Sequence, residues 1–263
     1  MRFSLKSVIS INAASLTFFT ILLVVILFHV GIPILDLIEL KTYDLRFLSR
    51  GRLHPSPVVA LALIDEKSLD KEGRWPWPRS KMASLVNILS QDDAKVIGFD
   101  IGFLEPDENS LLQFINQFGQ KIDALDIHDT RLTDFMKENK ENADNDLALA
   151  RAIRNSSSKV VLGYFFHMSQ AELDYKIDQK EIDKQIERIS ASKYPFVISD
   201  DPQMKSFPFP KAYAPESNLE TLAEATSSAG FFTLAADYDG VVRWMPLVIQ
   251  CGENLYPPLS VSC

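Results

Sequence analysis

Residues 7–35 carry no formal charge, and residues 21–30 among them are aliphatic apart from Phe28 and His29. At about 1.5 Å per residue such a run exceeds the roughly 20 residues that a bilayer core demands, which predicts one membrane-spanning helix. Arg2 and Lys6 precede it, and a positive flank stays in the cytoplasm, so the domain that follows is sent across the membrane. Lys41, Arg46, Arg50 and Arg52 on the far flank weaken this orientation without reversing it, because long domains translocate largely regardless of their charge. The run is longer than the apolar core of a signal peptide, and residues 31–36 offer no small-residue cleavage site, which favours an uncleaved anchor. Residues 34–48 then mix leucines with charges at helical spacing, the pattern of a stalk that continues the membrane helix outside.

Past Pro55 and Pro57 the rhythm changes. Residues 58–64 (VVALALI), 95–103 (KVIGFDIGF) and 159–166 (KVVLGYFF) are short runs apolar on both faces, as expected of strands in a parallel sheet covered on two sides. A helix is predicted after residues 75–78 (WPWP), starting at Pro78 or Ser80, with Met82, Leu85, Val86 and Leu89 as its buried stripe. A second starts near Asp144 or Asn145, carries Leu147, Ala150, Ile153 and Arg154, and stops at residues 155–158 (NSSS). Two right-handed βαβ units follow. Residues 229–236 and 241–249 flank Asp237-Tyr-Asp-Gly240, an Asp-Gly turn that predicts an antiparallel hairpin extending the sheet. The expected fold is therefore α/β: a mixed, mainly parallel sheet with helices on both faces and a C-terminal antiparallel hairpin, behind one N-terminal transmembrane helix. Residues 1–39 form the cytoplasmic tip and membrane helix. Residues 40–263 form the extracytoplasmic domain, cut short at its C-terminal end, where a helix begins near Pro257.

Two insertions, about 105–146 and 171–228, interrupt the plan. Between Glu105 and Asp146 there are eleven acidic residues and four basic ones, which accounts for nearly all of the chain's net charge of −8. This segment reads as a solvated surface excursion, with a face for a cation or a partner as the alternative. In residues 171–192, Tyr175, Ile182, Ile186 and Ile189 share one face and Lys176, Lys180 and Lys184 lie elsewhere, a surface helix with a candidate partner face.

The acidic balance argues against a nucleic-acid partner. Cys251 and Cys263 are the only cysteines among 263 residues, too few for structural zinc or a disulfide framework, although a single bridge between them stays open. No phosphate-cradling glycine loop, zinc-protease motif or nucleophile elbow is present, so no motif calls for a cofactor. His29, His54, His128 and His167 lie far apart in sequence, and no catalytic residue is assigned.

The strongest candidate for a binding site is Asp65 with Asp100, each closing a predicted strand, because ligands collect beyond the carboxyl ends of strands in open α/β sheets. Two carboxylates there suit a cation or acid–base work, with Glu105 as a third. The alternative is that the aspartates cap loops and helix N-termini. Gly98 and Gly102 share a strand face with Asp100 and leave room beside it. Trp75 and Trp77, locked between prolines, suit the wall of a ligand site. Arg79 at a helix start opposes the helix dipole unless an anion compensates it, so a salt bridge to Asp65 or Asp100 is expected. Arg243 is a second partner for a carboxylate, and Asp239, Gly240 and Arg243 make a structural hairpin.

Taken in order, Tyr43-Asp-Leu-Arg46, Ala62-Leu-Ile-Asp-Glu66, Gly73-Arg-Trp-Pro-Trp-Pro-Arg79, Val96-Ile-Gly-Phe-Asp-Ile-Gly-Phe103, Asp146-Leu-Ala-Leu-Ala150 and Asp237-Tyr-Asp-Gly-Val-Val-Arg243 with Pro246 resemble the second type of CHASE domain, the cyclase/histidine-kinase-associated sensory extracellular domain. The resemblance covers nearly all of the chain from about Leu40. It implies an extracytoplasmic sensor behind one membrane helix, in the inner or plasma membrane, followed in such proteins by further membrane helices and a cytoplasmic output. That output is commonly a class III adenylate or guanylate cyclase, and otherwise a histidine kinase, a serine/threonine kinase or a diguanylate cyclase. The chain itself is then no enzyme. Its partners are the bilayer, an extracellular ligand, a cytoplasmic output domain and a second copy in a homodimer, and Tyr43, Asp44 and Arg46 are the candidate signal stalk. Two other classes compete: an exported metal-dependent hydrolase built on Asp65, Asp100 and Glu105, and a structural ectodomain whose strands and stalk mediate dimerisation.

Overall fold

A computed structural model describes residues 13–30, 33–107, 109–173, 177–196 and 209–263. Arg2, Lys6, Tyr175 and Lys176 lie outside them. The chain divides into two units between Leu63 and Ile64.

The first unit contains α1 (Ala13–Val30) and α2 (Pro33–Arg50). The expected span over residues 7–35 lies partly outside the described residues, and its described part does not by itself meet the requirements of a membrane helix. Among the described residues no single helix is long and apolar enough to cross a membrane; residues 13–29 and 34–50 meet the criteria of length and composition only together, as a pair bent by 71°. Pro33 stands at the first position of α2, which suits a residue without an N–H. Residues 58–63, expected as a strand, join no ladder, and Val58, Val59, Leu61 and Leu63 are exposed. An apolar run alone does not make a strand; it needs a free edge and a face to bury.

The second unit begins with α3 (Glu66–Glu72) and α4 (Arg79–Gln91), leading to β1 (Val96–Phe99). The chain continues through α5 (Ser110–Ala124), α6 (Thr130–Ala143) and α7 (Asn145–Asn155) to β2 (Lys159–His167). β1 and β2 pair in parallel with Val96 opposite Lys159 and Phe99 opposite Leu162, so the βαβ unit expected between them is present. After α8 (Gln179–Arg188) come β3 (Lys211–Ala212), β4 (Ala214–Glu216), α9 (Glu220–Ala223) and β5 (Ala229–Phe231). β5 joins β2 in parallel and β4 joins the far end of β2 antiparallel. The chain closes with β6 (Ile249–Cys251), β7 (Asn254–Tyr256) and α10 (Leu259–Ser262).

The predicted hairpin forms elsewhere than expected. Residues 229–236 and 241–249 do not pair with each other as strands. β5 belongs to the main sheet, while β6 pairs with β3 in parallel and with β7 antiparallel in a separate small sheet. Strand propensity on both sides of the Asp-Gly turn was outweighed by better-buried partners, Ile249 and Tyr256 being fully buried in the second sheet.

β2 is long enough to serve two cores. Val160 and Leu162 enter the first, with Met82 and Val86 of α4, Leu149 and Ile153 of α7, Ile97 and Phe99 of β1, and Leu222 of α9. Tyr164 and Phe166, of the same parity farther along, enter the second, with Ile189, Phe231, Ile249, Cys251 and Tyr256. The buried stripe of α8, read from sequence as a partner face, is consumed here: Ile182 and Ile189 are buried and Ile186 packs on the second core.

On the opposite face of the sheet, glycines lie where α10 crosses the strands. A methyl group on Gly230 would sit 2.6 Å from Leu259 Cα and 2.7 Å from Leu259 N, and one on Gly98 would sit 2.7 Å from Cys263 Sγ. Glycine therefore lets the α10 backbone rest almost on the strands, and Ser262 Oγ donates to Ala229 O at 2.9 Å. Gly230→Ala is expected to lower unfolding stability by about 2 kcal/mol in a urea titration of the detergent-solubilised chain, because backbone must move. Gly98→Ala, meeting a single thiol, costs less. Both cysteines are free thiols. Burial pushes the Cys251 thiol up to about 11 and also raises that of the more exposed Cys263, so at pH 8 a thiol reagent should label Cys263 slowly in the folded chain and Cys251 only on unfolding.

Candidate functional site

Arg79 opens α4, yet it is 9% exposed. Its own N–H donates to Asp107 Oδ2 at 2.9 Å, so a carboxylate 28 residues away supplies the cap that Pro78 cannot. Asp107 N in turn donates to Asp146 Oδ2 at 2.9 Å. Arg79 Nε lies 3.6 Å from Asp146 Oδ1, Nη2 donates to Glu105 O at 3.3 Å, and the guanidinium stands 4.8 Å from the centre of the Phe103 ring. The predicted compensation of the helix dipole is thus real, but its carboxylates are Asp107 and Asp146, not Asp65 or Asp100.

Arg79 Nε and Asp146 Oδ1 are both buried without a hydrogen bond, since 3.6 Å is an ion pair and too long for a bond. Burial raises the Asp146 carboxyl above its ordinary value, against the opposing effects of the Asp107 N–H and Arg79. Asp144 caps α7 by accepting from Leu147 N at 2.9 Å, so the N-termini of α4 and α7 meet at Arg79 through Asp107 and Asp146.

The tryptophans divide between structure and surface. Trp77 is buried in the first core and its Nε1 donates to Gly73 O at 2.8 Å. Trp75, 38% exposed, packs edge-on against it with ring centres 5.8 Å apart, and the peptide bond between Trp75 and Pro76 is cis. Lys81 Nζ stands 5.1 Å from the Trp77 ring centre and bridges to Glu72 at 2.9 Å.

Asp65 does not end a strand. It is the N-cap of α3, its Oδ1 accepting from Ser68 Oγ at 2.7 Å and Ser68 N at 2.9 Å, and the Ser68 hydroxyl and N–H hold its carboxyl below the usual value. The capping alternative describes it. Asp100 follows β1 and is exposed; the Glu105 carboxylate is exposed while its carbonyl serves Arg79. Among the described residues no group of three or more His, Cys, Asp or Glu side chains is arranged to hold a metal ion, and the hydrolase reading gains no support.

Arg243 finds carboxylates in its own turn. Its Nη1 reaches Asp237 Oδ2 at 2.8 Å and Asp239 Oδ1 at 2.9 Å, and Nη2 reaches Asp239 Oδ2 at 2.9 Å, with the side chain 3% exposed. Gly240, at φ +79°, completes the turn. Within α2, the Tyr43 and Phe47 rings lie 4.8 Å apart, Arg46 stands over Tyr43 at 5.8 Å, and Asp44 pairs with Lys41 at 3.7 Å.

Asn218 was not singled out from sequence. It is buried, its Oδ1 accepting from Phe103 N at 2.8 Å and its Nδ2 donating to Gly163 O at 2.9 Å. It thereby ties the loop after β1 to β2, and nothing in the local pattern of residues 217–219 signals this. Beside it a cavity of about 20 Å³, room for one water, is lined by Tyr164, Ser192, Ser217 and Thr226.

The Trp-Pro-Trp-Pro-Arg block and the Asp-Gly-Val-Val-Arg block therefore each place an arginine among aspartates, and the model of the CHASE2 domain matches residues 19–263. The chain belongs to the CHASE2 family. CHASE2 domains are extracellular sensory domains and not catalytic ones. No curated protein and no solved structure matches this chain significantly.

In this CHASE2 domain, breaking the Arg79 ion pair should leave Asp146 buried without its cation. Arg79→Met is expected to cost about 3 kcal/mol near pH 7 in denaturant titrations. Because the folded state already holds the Asp146 proton more tightly than the unfolded chain, the associated stability is full below about pH 4 and falls as pH rises through the folded value. Arg79→Met removes the opposing cation and should deepen that fall, so its penalty must shrink towards pH 4. A penalty independent of pH would show that Asp146 is not the partner.

Proposed function

We propose that this chain is the extracytoplasmic sensory module of a transmembrane receptor, and that the output it regulates is a class III adenylate or guanylate cyclase. The observation that carries the reading is the family match over residues 19–263. Supporting it are the uncharged run at residues 7–35, the apolar bent pair that begins at residue 13 and the chain's formal charge of −8, which suits no nucleic-acid partner. The cue binds at the surface of residues 75–79, where exposed Trp75 is backed by buried Trp77 and Arg79 opens α4, with exposed Asp100 at the end of β1 as its carboxylate. A rigid, partly exposed indole offers apolar contact at small entropic cost. The cue acts by binding one of two receptor conformations more tightly, and α2 carries the difference towards the membrane through Tyr43, Asp44 and Arg46.

Topology tests the first half of this reading. Alkaline phosphatase joined after Cys263 should be active in bacterial cells and β-galactosidase at the same position inactive; the reverse pattern would place the domain in the cytoplasm and overturn it. For the second half, the chain is joined through further membrane helices to a class III cyclase domain. Cyclic nucleotide output should respond to spent culture medium and lose the response on Trp75→Ala with Asp100→Ala. A response untouched by those changes puts the cue elsewhere.

A further inference from the structure

The acidic insertion is not a featureless excursion. Its two helices, α5 and α6, form a hairpin joined by residues 125–129, and the base is fastened where Asn109 Nδ2 donates to Ala143 O. Asn109 Oδ1 caps α5 by accepting from Leu111 N and Leu112 N. One face is apolar on both helices, yet α5 buries no residue and α6 buries only Ala143. Phe114 and Phe118 stack with ring centres 6.1 Å apart along one wall of an open groove of about 210 Å³; Phe135 forms the other wall, and Ile115, Leu132 and Met136 also line the groove. Leu111 is 56% exposed, Phe114 63%, Phe118 47% and Phe135 64%.

We propose that this hairpin is a self-association surface, on which the same hairpin of a second copy packs about a two-fold axis near Phe135 to complete a four-helix bundle. Three observations choose that occupant. At ~200 Å² for a fully exposed Leu or Phe side chain, the four residues alone would remove roughly 450 Å² per copy, or about 900 Å² for the pair, close to the ~1,000 Å² of a stable interface. Partly exposed Leu132 and Met136 add the remainder. Second, Arg131 and Glu138 lie seven residues apart on the Phe135 edge of α6, and both are exposed. Antiparallel packing of two α6 helices about Phe135 sets Arg131 of each copy against Glu138 of the other, so one contact gives two ion pairs. Third, residues 110–143 carry six acidic and four basic side chains, which disfavours an anionic lipid surface. The groove is also smaller and more open than an ordinary small-molecule site. A lone pair of helices exposing aromatic residues on one face is half of a bundle, and a second hairpin supplies the missing half. The inference does not depend on what the domain senses.

The test is a concentration series of the full chain in detergent, followed by sedimentation with the detergent mass matched out. A reversible monomer–dimer equilibrium is expected. Arg131→Glu should weaken it by about tenfold, and Arg131→Glu with Glu138→Arg should restore it, a rescue that misfolding cannot imitate. Phe135→Asp should abolish the dimer with the far-ultraviolet circular dichroism unchanged. In a Cys251→Ser, Cys263→Ser background, Phe135→Cys should give a disulfide-linked dimer on mild oxidation and Lys137→Cys, on the other side of α6, should not. A chain monomeric to ~100 µM, a dimer indifferent to both Phe135→Asp and the charge exchange, or equal cross-linking at 135 and 137 would overturn the proposal. So would saturable uptake of a fluorescent fatty acid by a chain that stays monomeric.

Discussion

A guanidinium that is nine-tenths buried must have its charge met from several sides, and around Arg79 that demand organises the second unit. The cation belongs to α4, the carboxylates belong to the loop after β1 and to the first turn of α7, and the ring beneath it belongs to Phe103. Removing a charge from water costs several kcal/mol, and the cost is recovered only when the partners are held in place. Here they hold one another: Asp107 caps α4 through the N–H of Arg79 and is itself bonded to Asp146. The arrangement fixes where two helices start over the first core, and hence the faces they present to β1 and β2. It also explains why arginine is tolerated at a helix N-terminus, where the dipole alone would repel it.

A second constraint acts on the opposite face, through the absence of side chains. With Gly98 and Gly230 under α10, the helix approaches the sheet to backbone distance, whereas α4 and α7 stand off on Met82, Val86, Leu149 and Ile153. One face is thus spaced by large apolar side chains, and the other is thinned by glycine where α10 lies. Substitutions there act in opposite senses: the thick face suffers from lost volume and the thin face from gained volume.

Periodicity made α4, α7, β1 and β2 legible: Met82 and Val86 of α4 and Ala150 and Ile153 of α7 are buried where their spacing puts them, although α7 buries Leu149 rather than Leu147 and leaves Arg154 exposed, and the strands carry near-continuous apolar runs. The features that sequence misplaced are those decided by competition between distant segments. Residues 58–64 are as apolar as β1 but join no sheet, and residues 229–231 chose β2 over the nearer 241–249. The site was half legible. An arginine needing a carboxylate was readable at 79 and 243, but which carboxylate was not, because Asp107 and Asp146 reach Arg79 only after α5 and α6 have folded back on each other. Asn218 lay beyond reach for the same reason, since its partners Phe103 and Gly163 are 115 and 55 residues away.

The fold-back of α5 and α6 also bears on what the domain transmits. Asp107 lies two residues before the cap of α5, and Asp144 and Asp146 follow directly after α6, so both roots of the hairpin end in the aspartates that meet Arg79 or cap α7. A helical hairpin fastened at both roots cannot tilt without moving Asp107 against Asp146, and moving either disturbs the N-termini of α4 and α7 together. Trp77, in the turn before α4, is packed into the same core that those helices cover. On the proposed reading, an event at the exposed edge of Trp75 and one on the Phe135 face of the hairpin would both act on this one set of buried charges, whose displacement from their partners is costly. Coupling between the two surfaces then requires no path of weak contacts across the sheet, since one ion-pair cluster is mechanically common to both.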